Sequence, residues 1–316
     1  MNILITAIGS MSAACAISKL KENQHFVVGC DIYPGEWHSE TYLCDLFYQA
    51  PYATDKQQYI EFLLNICKKH NIDCLIPLTD LEIDVINEYR EQFKTEKVTL
   101  CMQSEEVLKV ARNKYTLFKT FEVDEYVPSI ATRLLSDSSE EISFPCVAKP
   151  YDGRSSEGLV YIQTEDQLAA IKNKNRYIIQ EKIDGPIYTV DYIRSSLDGA
   201  DMAIPRVELL RTKNGAGLTV QIKNNLELQQ LVSHIGKKLG INGCVNMEFI
   251  EHDNNYYLID INPRFSAGVA FSVLSGYDMI NNHVKCFCQE QIDESILYKE
   301  KILIKKYQEF EYKPRC

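Results

Sequence analysis

Short apolar runs alternate with segments of helical apolar spacing over the first hundred residues. Strands are predicted at Asn2 to Ala7, Phe26 to Asp31 and Asp73 to Pro77, and helices at Met11 to Glu22, Asp55 to Lys69 and Leu81 to Phe93. Such alternation builds a parallel sheet, because parallel neighbours need crossover connections and helices supply them. Two further helices, Ser104 to Val110 and Asn113 to Phe121, bridge to a second part. There, short strands from Phe144 to Tyr192 surround a helix at Glu165 to Lys172, and a larger antiparallel sheet follows with an amphipathic helix at Leu226 to Leu239. The chain thus reads as α/β followed by α+β, with no internal repeat. Asp137-Ser-Ser-Glu-Glu is its one polar low-complexity stretch and reads as an exposed loop.

Composition narrows the class. A chain of 316 residues with 45% hydrophobic content can bury two or three lobes. No run of about 18 apolar residues occurs, and the N-terminus enters a strand without a basic leader, so neither a membrane span nor a signal peptide is expected. Eleven cysteines lie mostly inside apolar patterns, as small buried residues of a reducing cytoplasm would. Cys286-Phe-Cys288 is a close pair without partners at zinc-ligand spacing. A net charge of −10 argues against a nucleic-acid partner, which would need a basic surface. Lys299-Glu-Lys-Ile-Leu-Ile-Lys-Lys reads as a strand with solvated lysines.

The densest chemistry lies late in the chain, in Asn246-Met-Glu248-Phe-Ile and Tyr257-Leu-Ile-Asp260-Ile-Asn262-Pro-Arg264. On a strand, Asp260 and Asn262 share a face, and Glu248 can reach them from a neighbouring strand. Two acids and an amide are hard oxygen donors that suit Mg²⁺, usually completed by substrate phosphates. Arg264 adds a charge-stabilising fork. Upstream, Phe144-Pro-Cys-Val-Ala-Lys149-Pro-Tyr-Asp152-Gly153-Arg-Ser155-Ser156-Glu-Gly158 reads as a lysine-bearing strand and a glycine-containing turn. Glycines let successive N–H groups converge on an anion, and the serines add donors. It is not a Walker A loop, since no Gly-Lys-Ser/Thr follows. Tyr177-Ile-Ile-Gln-Glu181-Lys182-Ile183-Asp184-Gly185 is an apolar strand that ends in an acid and a turn able to hold an adenine edge.

Taken in order with Arg112-Asn-Lys114, these segments resemble the ATP-grasp superfamily, and most closely its carbamoyl-phosphate-synthase-like single-copy members, over nearly the whole chain. The resemblance implies a pre-ATP-grasp parallel lobe at 1–108 and a two-lobed ATP-grasp fold at 109–316, with a lid at about 113–185 and a metal-binding lobe at about 186–316. It implies that Lys114, Lys149, Ser155, Ser156 and Gly158 hold the ATP phosphates, and that Glu181, Lys182 and Ile183 contact adenine. Glu248, Asp260 and Asn262 become ligands of Mg²⁺, with Mn²⁺ as an alternative. Arg206 and Arg264 become candidates to stabilise an acyl phosphate, ordinary surface arginines being the alternative for both. Relatives place a ribose-binding Glu two residues after the hinge glycine, where this chain has Ile187; Asp184 and Asp191 are the nearby acids that could replace it.

The favoured activity is an ATP-dependent ligase joining a small-molecule carboxylate to an amine. A kinase of carbamate or another small acid, and a non-catalytic nucleotide-binding module, are the rivals. A single half argues against the complete three-step carbamoyl-phosphate reaction, and homodimer formation is left open. In the first lobe, Gly9 and Asp31 invite a dinucleotide reading that one glycine does not support. Thr79-Asp80-Leu-Glu82 lies just past the third strand, at the end of a parallel sheet where ligands collect, but Thr79 or Asp80 capping the following helix, with Glu82 complementing its dipole, is the favoured reading. Ser266 has no nearby histidine in the sequence, which disfavours a hydrolase.

Overall fold

The computed structural model describes residues 1–137, 142–154 and 157–313. Of the loop predicted at Asp137 to Glu141, residues 138–141 lie outside the described residues, as do Ser155 and Ser156.

The first lobe runs β1 (Asn2–Ile5), α1 (Ala13–Glu22), β2 (Phe26–Asp31), β3 (Leu46–Gln49), α2 (Lys56–His70), β4 (Cys74–Ile76), α3 (Asp80–Glu88), α4 (Arg90–Thr95) and β5 (Thr99–Leu100). Its five strands are all parallel, in the order β3-β2-β1-β4-β5. Central β1 buries Ile3, Leu4 and Ile5 completely, as a strand covered on both faces must. Helix α1 buries Ala13, Ala16, Ile17 and Leu20, one stripe at helical spacing. Helix α2 starts where the Asp55 side chain accepts from the Gln58 amide and stops at left-handed Asn71.

Local geometry explains the departures from prediction. β1 ends at Ile5, and just beyond it Ala7 turns to φ 48°. α1 starts two residues late, at Ala13. The expected helix at Leu81 to Phe93 begins at Asp80 and breaks at Tyr89, whose φ of −121° is not helical. β3 and β5 are short outer strands of half-buried or exposed residues, which gives them no clean alternation to read.

Helices α5 (Glu105–Ala111) and α6 (Lys114–Phe121), capped by Ser104 and Asn113, lead into the lid. There β6 (Thr132–Leu134), β7 (Cys146–Pro150), β8 (Val160–Ile162), α7 (Glu165–Ala169) and β9 (Tyr177–Glu181) form a sheet ordered β6-β9-β7-β8 with one short helix. The remainder is β10 (Ile187–Arg194), β11 (Asp201–Arg211), β12 (Gly217–Ile222), α8 (Leu226–Leu239), β13 (Gly243–His252), β14 (Asn255–Asn262), α9 (Val269–Leu274), α10 (Met279–Phe287) and β15 (Lys301–Ile304). These six strands pair antiparallel in the order β14-β13-β10-β11-β12-β15.

The large sheet has two unlike faces. Val190, Tyr192, Val245 and Met247 pack on one face against Leu228, Val232 and Ile235 of α8. On the other face, Ile193, Ile204 and Ile222 share a core with Ile3, Ile5 and Ile17 of the parallel lobe and with Met279 and Ile280 of α10. This shared core fixes the carboxyl end of the parallel sheet beside one end of the large sheet.

Between lid and large sheet, Gly185 passes close to β13. A Cβ at this position would lie 1.8 Å from the Glu251 carbonyl oxygen, while the Glu251 amide donates to Pro186 O at 3.0 Å. Gly185→Ala should therefore destabilise the protein by about 1–3 kcal/mol through a forced backbone shift. Urea denaturation measures this, and an unchanged midpoint would mean that the crossing relaxes freely.

Candidate active site

Register builds the site. Arg206 pairs with Thr189, Thr189 with Glu248, and Glu248 with Asp260, so four side chains form a row across β11, β10, β13 and β14. The adjoining row places Asp191 beside Asn246 and Asn246 beside Asn262. A register shift after Glu248 leaves Ile259 as an extra residue and ends the regular ladder beside the acids. The row opens into a cavity of about 680 Å³, also lined by Asn246, Asn262, Arg264 and Ser266. Its opposite wall comes from the parallel lobe, through Ser10 to Ser12 after β1 and Leu78 to Leu81 after β4. Strand order reverses between β1 and β4, and open parallel sheets bind ligands at that switch point.

Each acid of the row faces a cation. Arg211 Nη2 lies 3.1 Å from Glu248 Oε2, and Lys114 Nζ 3.1 Å from Asp260 Oδ2. Lys114 Nζ also donates to Gly153 O at 2.9 Å, which ties the lid turn to β14. Burial raises the Glu248 carboxyl above its usual range; Arg211 opposes this and neighbouring Asp260 adds to it. Lys149 projects over the Phe118 ring at 5.4 Å. Loss of water lowers it from 10.5 to about 8, against the pull of Asp260 and with the help of Lys114.

The expected site residues fall into two groups. Glu248, Asp260, Asn262, Arg264 and Arg206 line the one cavity, and Lys114 and Lys149 flank it. Glu181, Lys182 and Ile183 do not line it: Glu181 is exposed, and Lys182 makes a short ion pair with Asp184. Gly158, at φ 73°, packs on Pro150 and Tyr177 and lines a separate cavity of about 610 Å³ within the lid. Ile187 shares the face of Thr189, two residues along β10.

Several expectations are corrected. Arg206 is no surface arginine: it is 2% exposed and donates to Asp191 (2.8 Å), Glu208 (3.3 Å) and Ser266 (3.1 Å). Burial opposes its charge, but Asp191 and Glu208 outweigh that and raise its pKa. Asp191, fully buried and also bound by Ser272 at 2.6 Å, is withdrawn from any ribose role. Thr79 does not cap α3; its hydroxyl donates to Glu82 at 2.7 Å. Asp80 instead accepts two bonds from Arg264, at 3.0 and 2.9 Å. Burial pushes Asp80 upward, yet Arg264 holds it below the usual carboxylate range. The dinucleotide reading, already disfavoured by the single glycine, gains nothing from the geometry. Gly9 N donates to Asp31 Oδ2 at 2.9 Å, and His38 lies where a Gly9 Cβ would be, 2.5 Å from its ring.

Sequence reasoning missed Arg154, Glu208 and Arg211 as lining residues, and read Asp80 as a helix cap ahead of a ligand-facing residue. Alternation could have found Glu208, two positions from Arg206. It points Arg211 the wrong way, because two register irregularities between Glu208 and Arg211 bring this odd-numbered residue to the face of Arg206.

Two opposed carboxylates with Asn246 and Asn262 beside them give four hard oxygen donors, and the charge that Arg211 and Lys114 already neutralise is the charge that a divalent cation would meet. The donor set therefore fits Mg²⁺ or Mn²⁺. Among the described residues, no cluster of three His, Cys, Asp or Glu side chains could hold a metal, so such a site would rest on two acids. No described helix is long and apolar enough to cross a membrane.

Residues 111–268, half of the chain, match the family profile of the ATP-grasp domain, and residues 3–101 match that of a PylC-like N-terminal domain. The carbamoyl phosphate synthase large chain of Clostridium botulinum (strain Kyoto / Type A2) is 26% identical over 226 residues, covering 66% of this chain and 19% of that protein. The arginine-specific large chain of Geobacillus stearothermophilus is 28% identical over 149 residues, 43% of this chain and 14% of that one. This chain thus spans less than a fifth of the length of either relative. Among solved structures, the biotin carboxylase domain dimer of Hydrogenobacter thermophilus 2-oxoglutarate carboxylase, bound to MgADP, ADP and bicarbonate, superposes with a TM-score of 0.78 at 16% identity, over 95% of this chain and 73% of that one. Staphylococcus aureus N5-carboxyaminoimidazole synthetase with ADP gives 0.75 at 15% identity, over 96% and 81%. At these identities the structures share the fold.

The lowered pKa of Lys149 makes stability depend on pH. Between about pH 8 and 10.5 the unfolded chain holds a proton there that the folded chain releases, so this group makes stability rise with pH across that window. Lys149→Met should flatten that rise in urea denaturation measured at several pH values. A slope equal to that of the wild type would show that Lys149 is solvated like an ordinary lysine.

Proposed function

The chain belongs to the ATP-grasp family of ligases, and on that footing we propose that it joins a small-molecule carboxylate to an amine at the expense of ATP, through an acyl phosphate. The observation that carries this reading is the cross-strand row of Arg206, Thr189, Glu248 and Asp260, open to a cavity whose far wall is the switch point of a parallel sheet.

In this reading Glu248, Asp260 and Asn262 hold Mg²⁺, or Mn²⁺ in its place, and the ion supplies charge neutralisation to the nucleotide phosphates. Lys114 and Lys149 flank the same acids and bind phosphate oxygens, and Ser155, Ser156 and Gly158 are assigned to the phosphates with them. Glu181, Lys182 and Ile183 contact adenine at the hinge. The substrate carboxylate attacks the γ-phosphorus, ADP leaves, and the amine then displaces phosphate from the acyl phosphate. No side-chain nucleophile is needed; catalysis is positioning and electrostatic stabilisation. Arg264, held by Asp80 at the junction of the two walls, orients the acyl phosphate. Arg206, already bonded through all three guanidinium nitrogens to Asp191, Glu208 and Ser266, serves the acyl phosphate by holding the segment after β14 in place. Ser10 to Ser12 and Leu78 to Asp80 contact the acceptor. The division into a first domain at 1–108 and an ATP-grasp domain at 109–316 belongs to the same proposal, as do a cytoplasmic location and a homodimer.

ADP release measured with panels of acids and amines tests the proposal. Dependence on both substrates supports ligation, dependence on an acid alone supports a kinase, and nucleotide binding without turnover overturns an enzymatic role. Glu248→Gln or Asp260→Asn should lower kcat by about 10²-fold or more while the melting temperature stays near that of the wild type. A collapse of cooperative unfolding instead would assign these acids to the structure.

Ile187 generates a further expectation. With no acid two residues past Gly185 and with Asp191 engaged by Arg206, discrimination between ATP and 2′-deoxy-ATP should be weak, because the missing hydroxyl leaves no buried acceptor unpaired. Ile187→Glu, on the face of Thr189, should sharpen it. A wild-type preference of about a hundredfold, equivalent to about 2.7 kcal/mol, would mean that another residue binds ribose.

A further inference from the structure

Arg211 is bonded in two directions. Its Nη2 lies 3.1 Å from Glu248 Oε2, and its Nε donates to Gly215 O at 2.8 Å. Gly215 belongs to the turn between β11 and β12, closed by Thr212 N to Ala216 O (2.8 Å), Gly215 N to Thr212 O (3.0 Å) and Ala216 N to Thr212 Oγ1 (3.0 Å). Thr212 and Asn214 to Gly217 line the cavity. The turn, Thr-Lys-Asn-Gly-Ala-Gly, carries no large apolar side chain to anchor it. One guanidinium therefore fastens this part of the cavity wall to the candidate metal ligand.

We infer that Arg211 and a divalent cation are alternative occupants of Glu248, so that metal binding unfastens the Thr212–Gly217 turn and frees the guanidinium for the anion that accompanies the metal. The inference rests on the proposed role of Glu248 and Asp260 as metal ligands. Like charges exclude one another, so a divalent ion on Glu248 and a guanidinium 3.1 Å from the same carboxylate oxygen repel strongly. The ion wins where it engages Glu248 and Asp260 together, which Arg211 does not: its ion pair reaches Glu248, and Asp260 is held by Lys114. Both partners of the Arg211 pair keep about a quarter of their side-chain surface exposed, so an incoming ion has access. By reciprocity, whatever binds the freed arginine also tightens the metal.

Mn²⁺ alone, without nucleotide, is the probe. Titration of the full chain by electron paramagnetic resonance should show binding that Glu248→Gln abolishes. Arg211→Ala should bind Mn²⁺ about three- to tenfold more tightly than the wild type, the opposite of what loss of a merely structural contact would do. Amide exchange followed by mass spectrometry needs no variant: residues 212–217 should exchange faster when Mn²⁺ is added to the wild type. Glu248-dependent Mn²⁺ binding with unchanged or weaker affinity in Arg211→Ala, or added protection of the turn, overturns the interlock and leaves the metal ligands standing. Mn²⁺ binding that Glu248→Gln does not affect overturns the metal reading itself, and the interlock with it.

Discussion

Two carboxylates held opposite each other on adjacent strands, Glu248 and Asp260, impose the constraint to which the rest of the site answers. Backbone pairing fixes their separation, so they cannot move apart to relieve their repulsion, and partial burial weakens the screening that water would give. Positive charge has to come to them. It arrives from three different elements: Lys114 at the start of α6, Arg211 at the end of β11, and Lys149 on the lid strand β7. Helix, hairpin and lid are thereby tied electrostatically to one point on the sheet.

A second cluster lies at the other end of the same row. Arg206 is buried with Asp191 and Glu208, a set with one cation between two acids. Isolated buried charges are costly, and this group persists because each hydrogen-bonds another. Its value to the site is rigidity. Arg206 also fixes Ser266, and a Cβ at Gly268 would come within 3.0 Å of its guanidinium, so the segment after β14 closes tightly over it. Arg264 in that segment is in turn locked to Asp80 of the parallel lobe. The two walls of the cavity are joined by one bidentate ion pair over a shared apolar core.

Much of this was legible in the sequence because it depends on local periodicity. The parallel lobe follows from strand–helix alternation, and α8 keeps its predicted bounds of Leu226–Leu239 because an apolar stripe and an Asn225 cap define it. Asp260 and Asn262 share one face through the twofold repeat of a strand, and Glu248 joins them through direct cross-strand pairing. The hinge and the glycine turn were harder to read. Their chemistry depends on where the lid lies, and Gly158 and Glu181 do not line the main cavity.

Only the tertiary structure decided the partners. Asp80 looks like a helix cap from its neighbours, and becomes an arginine ligand because folding brings Arg264, 184 residues away in sequence, within 3.0 Å. Asp191 looks like a spare acid until Arg206 arrives from the adjacent strand. Arg211 obeys the strand repeat only until register irregularities turn it toward Glu248. By itself the sequence determined which elements form and which side chains share a face, since backbone geometry sets both within a few residues. Which charges meet was left to the packing of distant elements, because an ion pair depends on distance in space and the chain carries no local record of it.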